Sequence, residues 1–308
     1  MDPQRLIPSA YKSRVIDAEL NRAMAATGAV LIEGPRGCGK TVTGVTVAKS
    51  IARLDVDTAL REAGLIAPEL VLSGERPRLI DEWQLVPAVW EHIRRDVDEH
   101  PEQAGRFILT GSAVEDDSSA RHTGGLRYTR LRMRPMSLYE TGHATGAVSL
   151  ASLFAGEEPL APDAGLDVHE LVDRISIGGW PALLGRRAEP ARVALRGYLD
   201  QTRRQDVSRV DKIQRAPENL DRVLRSIARN IATAASARAI AADVSGADEA
   251  IKHQTVSAYI DVLTRVFVVE DLPAWSPSVR SRVPLRDPRK RHFVDPSLAV
   301  AALDLHPD

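Results

Sequence analysis

The chain has 308 residues, 44% of them apolar and only 4% aromatic. With 41 Lys and Arg against 42 Asp and Glu, it carries a formal net charge of −1, which excludes a uniformly basic nucleic-acid binder. Its length suits two domains with cores of Ala, Val, Leu and Ile, its single cysteine excludes an internal disulfide, and its apolar runs are too short to span a bilayer.

The opening segment, MDPQRLIPSAYKSR, has no apolar core of signal-peptide length, so a cytoplasmic protein is expected. Residues 29–33, AVLIE, read as a short parallel strand buried on both faces. They lead into Gly34-Pro35-Arg36-Gly37-Cys38-Gly39-Lys40-Thr41, a complete G-x-x-x-x-G-K-[ST] match, followed by Val42. Glycines at 34, 37 and 39 permit backbone angles and close approaches that side chains would block. Such a loop turns successive N–H groups toward phosphate oxygens, aided by the positive end of the helix that follows. Residues 34–42 are therefore the expected nucleotide cradle. Lys40 would reach the β- and γ-phosphates, and the Thr41 hydroxyl would take a Mg²⁺ position.

A helix is expected over VTGVTVAKSIA and a further strand around IARLDV, a reading that points to the additional-strand class of P-loop ATPases. No N-K-x-D guanine-reading signature occurs, which favours ATP.

Next comes PRLIDEWQLVP, in which Arg78-Leu79-Ile80 reads as a short strand ending in Asp81 and Glu82. An isolated Asp-Glu pair is usually a solvated surface feature. Here it follows apolar residues about forty positions after the loop, where a metal-holding carboxylate belongs. Asp81 is the candidate Mg²⁺ ligand, and Glu82 is suited to polarise an attacking water. Gln84 is a weaker candidate for the same water network. A third strand, RFILTGSA, ends in Thr110, Gly111 and Ser112. Thr110 or Ser112 would sense the γ-phosphate, although a Thr-Gly-Ser turn is also an ordinary strand end.

In LRYTRLRMRPMSLYE, Arg130, Arg132 and Arg134 alternate with Leu131 and Met133. That is strand periodicity with one basic face, which suits a sheet edge better than a centre. The face reads either as a solvated edge or as a surface for nucleic acid or a neighbouring subunit. Arg121 and Arg127 precede it as arginine-finger candidates.

From about residue 165 the pattern turns helical, through DVHELVDRISIGGWPALLG and VALRGYLDQTRRQDVSRV. Leu195, Tyr198, Leu199 and Thr202 share a face, and Arg203, Arg204 and Arg209 are candidate lid arginines. Three more helices are expected in NLDRVLRSIARNIATAAS, ARAIAADVSGA and KHQTVSAYIDVLTRVFVVEDL, the second ending near Gly246. The last two read as a helix-turn-helix, with Lys252, His253, Gln254 and Ser257 available to base edges. RSRVPLRDPRKRHFVD would form a wing, setting Arg280, Arg282, Arg286, Arg289, Lys290 and Arg291 against Asp287. DNA is thus a candidate partner of the 280–292 segment. A lid of borrowed winged-helix shape, with a solvated loop, is the plainer reading.

Taken in order, YKSRVIDAEL, GAVLIEGPRGCGKT, RLIDEWQLVP, FILTGSA, MRPMSLYE, GGWPALL and RHFVDPSLAVAAL resemble the prokaryotic AAA-family ATP-binding proteins. In that family a P-loop core is coupled to a winged-helix region and a C-terminal domain with a nuclease-like fold. The resemblance implies that Gly34 through Thr41 form the nucleotide loop and that Asp81 and Glu82 are the metal and catalytic acids. A D…E-x-K arrangement should follow in a further C-terminal segment, yet no glutamate occurs after Glu270, so no nuclease activity is expected of these residues.

The expected architecture is α/β. A P-loop core with a parallel sheet spans 1–150, a helical lid 151–212, and a winged-helix-like, α-rich domain 213–308. The expected function is Mg²⁺-dependent hydrolysis of ATP, with Lys40, Glu82 and Thr110 as catalytic residues and Thr41 and Asp81 at the metal. The alternative is an ATP-binding switch with negligible turnover that contacts DNA or a partner protein. The AAA resemblance makes a homo-oligomeric ring plausible, and a monomer or dimer fits the residues equally well. No membrane contact is expected.

Overall fold

The computed structural model describes residues 3–112, 125–163, 165–206, 217–245, 251–276, 278, 280 and 288–306. The chain divides into two compact units, Met1–Arg134 and Pro135–Asp308.

The first unit is built on five strands: β1 (Ala29–Glu33), β2 (Ser50–Arg53), β3 (Arg78–Asp81), β4 (Phe107–Gly111) and β5 (Tyr128–Arg132). Their order is β2-β3-β4-β1-β5, and every neighbouring pair is parallel. This is a P-loop NTPase sheet of the additional-strand type, but the strand inserted between β1 and β3 is β4. The segment read as the extra strand does form β2, and it lies at the outer edge. At the other edge lies β5, as its arginines suggest, with Leu131 and Met133 buried and Arg130 exposed.

Strand alternation sorts the core into two layers. Ala29, Leu31, Ile80, Phe107 and Leu109 face one side. There they pack on Val86, Val89, Trp90, Ile93 and Val97, the last four from α5 (Val89–Glu99). Val30, Ile32, Leu79, Ile108 and Leu131 face the other side, against Ile16, Leu20 and Ala23 of α1 (Val15–Ala26) and Val45 of α2 (Lys40–Val45). Each such Leu or Ile withdrawn from water contributes about 1.5–3 kcal/mol.

The helix after the glycine loop is shorter than its sequence suggests. It stops at Val45, within a run of β-branched residues, and Thr46 Oγ1 donates to the Thr43 carbonyl at 2.7 Å. The rest of the expected helix is the turn into β2 and the first three residues of that strand. Short helices α3 (Thr58–Ile66) and α4 (Glu69–Leu72) complete this unit.

The second unit is mostly helical: α6 (Leu138–Thr141), α7 (Leu150–Phe154), α8 (Val168–Ile177), α9 (Ala188–Gln201), α10 (Pro217–Arg229), α11 (Ala237–Val244), α12 (His253–Arg265) and α13 (Pro296–Leu303). An antiparallel hairpin, β6 (Val269–Leu272) and β7 (Lys290–Phe293), joins them. One apolar cluster unites Ile177, Trp180, Leu195 and Leu199 with Leu224, Ile260, Val269 and Leu298. The chain thus divides at Arg134, where the sequence pattern has its core end at 150, and the same cluster runs across the expected boundary at 212. Met136 already belongs to the second unit: its N–H donates to the Gly179 carbonyl at 2.7 Å.

The stretch KHQTVSAYIDVLTRVFVVEDL is helical only to Arg265. Phe267 turns the chain with φ 59°, and after Val268 the β-branched Val269 begins β6. Gly246 lies outside the described residues. Among the described residues no helix is long and apolar enough to cross a membrane.

Candidate nucleotide site

The glycine loop leaves the C-terminal end of β1, beside the ends of β3 and β4. Gly34 is held close to its neighbours: a Cβ there would stand 2.1 Å from the Met133 carbonyl oxygen. Gly39 takes φ 105° just before the first turn of α2, a backbone that side chains rarely adopt. Arg36 and Gly37 are exposed, while Cys38 and Lys40 are buried. Burial also raises the Cys38 thiol pKa, against the opposing charges of Lys40 and Arg14.

Lys40 folds back over the loop. Its Nζ donates to the carbonyls of Gly34 and Pro35, each at 2.9 Å, so the ammonium sits inside the loop's curve. Thr41 points the other way, and its Oγ1 donates to Asp81 Oδ1 at 2.8 Å.

Register explains how Asp81 meets its second partner. Asp81 and Thr110 are paired across β3 and β4, and Thr110 Oγ1 donates to the same Asp81 Oδ1. Asp81 is 2% exposed. Desolvation pushes its pKa up, the neighbouring charges of Glu82 and Asp55 push the same way, and the hydrogen bonds from Thr110 and Thr41 oppose them. A buried carboxylate whose desolvation is opposed by hydroxyl donors is a good host for a cation.

Glu82 occupies the left-handed region, φ 53° and ψ 48°, which turns its side chain away from that of Asp81. Its Oε2 accepts from Ser112 Oγ at 3.0 Å and from Gln84 Nε2. Its N–H donates to Thr110 Oγ1 at 3.3 Å. Gln84 Oε1 is buried and has no hydrogen-bond partner among the described residues. Asp81, Glu82, Gln84, Thr110 and Ser112 therefore form one connected group, and Thr41 ties it to the loop.

The donor set fits Mg²⁺. A hydroxyl and a carboxylate oxygen are hard ligands of the kind that ion takes alongside phosphate and water, and it needs no all-protein cage. Among the described residues no cluster of three His, Cys, Asp or Glu offers a different metal site.

Of the arginine-finger candidates, Arg127 is among the described residues. Arg127 precedes β5 at the end of the sheet opposite the loop, where its carbonyl accepts from the Ala29 N–H and its Nε pairs with Asp98. Arg121 and Arg209 lie outside the described residues. Arg203 is ion-paired with Asp200 and Asp221. Of the expected basic wing, Arg280, Arg289 and Lys290 are exposed, whereas Arg282, Arg286 and Asp287 lie outside the described residues. Arg291 is not available as expected: its Nε is bound to Asp271 at 3.0 Å and its Nη1 donates to the Ala235 carbonyl. Lys252, His253 and Gln254 are exposed at the start of α12, and Ser257 is half-buried.

One site residue is invisible to motif reading. Arg14 is 7% exposed and donates through Nη1 to the Cys38 carbonyl and through Nη2 to the Arg134 carbonyl, both at 2.8 Å. It lies within YKSRVIDAEL, one of the stretches that carry the family resemblance, but that resemblance gives it no role.

Comparison with known proteins agrees with this layout. Residues 26–142 match a family model described as an AAA domain, and residues 168–308 match a domain of unknown function (DUF8612). Uncharacterized proteins of Mycobacterium bovis and Mycobacterium tuberculosis are each 26% identical over 275 residues, covering 86% of this chain and 54% of theirs. The chain thus spans about half the length of the curated relatives it matches. A Walker-type ATPase of Pyrococcus abyssi shares the fold at 13% identity, with a TM-score of 0.56 over 96% of this chain and 97% of the other. The AAA-domain match and the five-stranded parallel sheet together support an AAA-like, ATP-binding NTPase core.

Proposed function

We propose that the chain is a Mg²⁺-dependent ATPase whose P-loop core acts on a winged-helix region. The contact between Thr41 and Asp81 carries the reading, because it sets a metal's two expected protein ligands side by side at the mouth of the glycine loop. Lys40 exchanges its loop carbonyls for the β- and γ-phosphate oxygens, and Thr41 and Asp81 hold Mg²⁺, which neutralises phosphate charge when bound. Glu82 orients a water against the γ-phosphorus and accepts its proton as the bond to the leaving ADP oxygen breaks. Thr110 and Ser112 keep the two acids in place. The lone cysteine suits the reducing cytoplasm.

The winged-helix assignment is supported by element order in the second unit: α10, an isolated bridge at Thr233 to Arg291, α11, α12, then the β6–β7 hairpin. Phosphate release from ATP and Mg²⁺ tests the activity, with Lys40→Ala and Glu82→Gln as controls. Turnover lost in both variants supports hydrolysis, and turnover unchanged in both refutes this site.

A second reading has a specific observation behind it. Glu82 Oε2 is already engaged by Gln84 and Ser112, as in a site that binds ATP without turning it over. Such a switch would contact a partner protein or DNA, the latter through Arg289 and Lys290. Duplex affinity that falls steeply with salt is its expected mark, and an affinity absent at low salt ends the DNA reading.

A further inference from the structure

The interactions of Arg14 reach the nucleotide loop from behind, where no motif assigns a residue. Its guanidinium is buried and donates to Cys38 O at 2.8 Å, and its second terminal nitrogen holds Arg134 O at 2.8 Å. The backbone of Arg14 is itself anchored, with its N–H donating to Asp17 Oδ2 at 2.8 Å. Met133, just before Arg134, presents the carbonyl against which Gly34 is packed. Arg14 therefore joins the Cys38 carbonyl of the loop to the segment that supports its first glycine.

A trans peptide is planar, and its C=O and N–H point in opposite directions. With the Cys38 carbonyl turned back to Arg14, the Gly39 N–H on the same peptide faces the other way. Gly39 has the positive φ that lets this peptide rotate, so the loop's own chemistry does not lock the orientation. A charged, bidentate donor does.

We infer that Arg14 is a positioning residue for nucleotide: by holding the Cys38 carbonyl outward, it presets the Gly39 N–H toward the phosphates of ATP. This rests on the ATP-binding reading of the loop. An N–H that meets phosphate in both the bound substrate and the transition state lowers KM more than it raises kcat.

The test titrates a fluorescent ATP analogue and measures steady-state phosphate release for the wild type, Arg14→Ala and Arg14→Lys, with the melting temperature of each nucleotide-free protein. Arg14→Ala is expected to weaken analogue binding and raise KM about tenfold, with kcat changed by less than about threefold. Arg14→Lys, a point charge able to serve one carbonyl, should recover part of that loss. A folded Arg14→Ala with binding and KM within about twofold of wild type overturns the inference, as a role in stability alone would predict. Should the alanine variant fail to fold, Arg14→Lys decides, and a KM equal to that of the wild type overturns the inference. A wild type that melts cooperatively yet binds no analogue removes the ATP reading and the inference together. A wild type that binds while Arg14→Ala binds equally removes the inference alone.

Discussion

The Thr41 hydroxyl donates to Oδ1 of Asp81 across 2.8 Å, so the first turn after the glycine loop and the end of β3 meet at a single carboxylate oxygen. Both hydroxyls that reach Asp81 use that oxygen, since Thr110 donates to it as well. Everything proposed for the site follows from how that buried charge is held.

Asp81→Asn keeps an acceptor oxygen for both hydroxyls and removes the desolvated charge whose raised pKa marks its cost. The metal-free variant at neutral pH is therefore expected to melt about 2 °C or more above wild type, while Mg²⁺-dependent phosphate release falls to background. Calorimetry with and without Mg²⁺ checks both halves. A lower melting temperature would count against the description of Asp81 as a destabilising buried charge.

Glu82→Gln preserves shape and the contacts of a carbonyl oxygen but cannot take a proton. Turnover should fall by about 10²–10⁴, with nucleotide affinity within about threefold of wild type. Unchanged turnover would remove Glu82 from the chemistry.

The Glu82 backbone offers a separate test, because φ 53° is costly for a residue with a Cβ. Glu82→Gly is expected to offset its loss of chain entropy by relieving that strain, so its stability should stay within about 1 kcal/mol of wild type although catalysis is lost. Chemical denaturation measures this, and a loss of several kcal/mol would show that the Glu82 side chain holds the fold.

Lys40→Ala removes an ammonium that donates to two loop carbonyls and is 5% exposed. Nucleotide affinity is expected to fall by about ten- to a hundredfold, the scale of one or two charged hydrogen bonds. Equilibrium titration with the fluorescent analogue reads it, and a loss under threefold would place the phosphates elsewhere.

In the second unit, Asp295 is 4% exposed, and its carboxylate accepts from the N–H of Gly179 at 2.8 Å and of Ser297 at 3.0 Å. Burial raises its pKa against these hydrogen bonds. A raised pKa means the folded state binds the proton more tightly than the unfolded one, whose ordinary value is 3.8. The contribution of Asp295 is therefore fullest below that value and declines as pH climbs through the folded-state pKa. Asp295→Asn lacks this dependence, so its stability relative to wild type should improve from about pH 4 up to the folded-state pKa and level off above it, by at most about 1.4 kcal/mol per pH unit. Urea melts across that range check the slope, and a flat difference would refute it.

Much of the first unit was legible because its signals are local. An apolar run feeding a glycine loop has few physical outcomes, and Asp81 stood out because a charge at the end of a buried strand needs a reason. Strand order was less accessible: nothing within FILTG states that it lies between β1 and β3, since that follows from how distant segments pack. The helix after the loop was overextended because β-branched residues at 42, 43, 45, 46 and 47 suit a helix face and a turn into a strand alike. In the second half, the sequence pattern runs past the end of α12 because Val268 and Val269 continue a helical apolar pattern, and the φ of Phe267 breaks it. Arg14 lies in a stretch of the family resemblance, YKSRVIDAEL, but its role is not legible there, because its partners are backbone carbonyls, which leave no trace in side-chain chemistry.

Cys38 sits within the glycine loop with 0% of its surface exposed, and it is the only thiol in the chain. The loop thus contains its own clock. A thiol reagent in solution can reach this sulfur only when the loop lifts, so labelling kinetics of the unaltered protein count those openings one by one. Reagent uptake slowed by ATP would measure how firmly an occupied loop stays shut, without a single introduced probe.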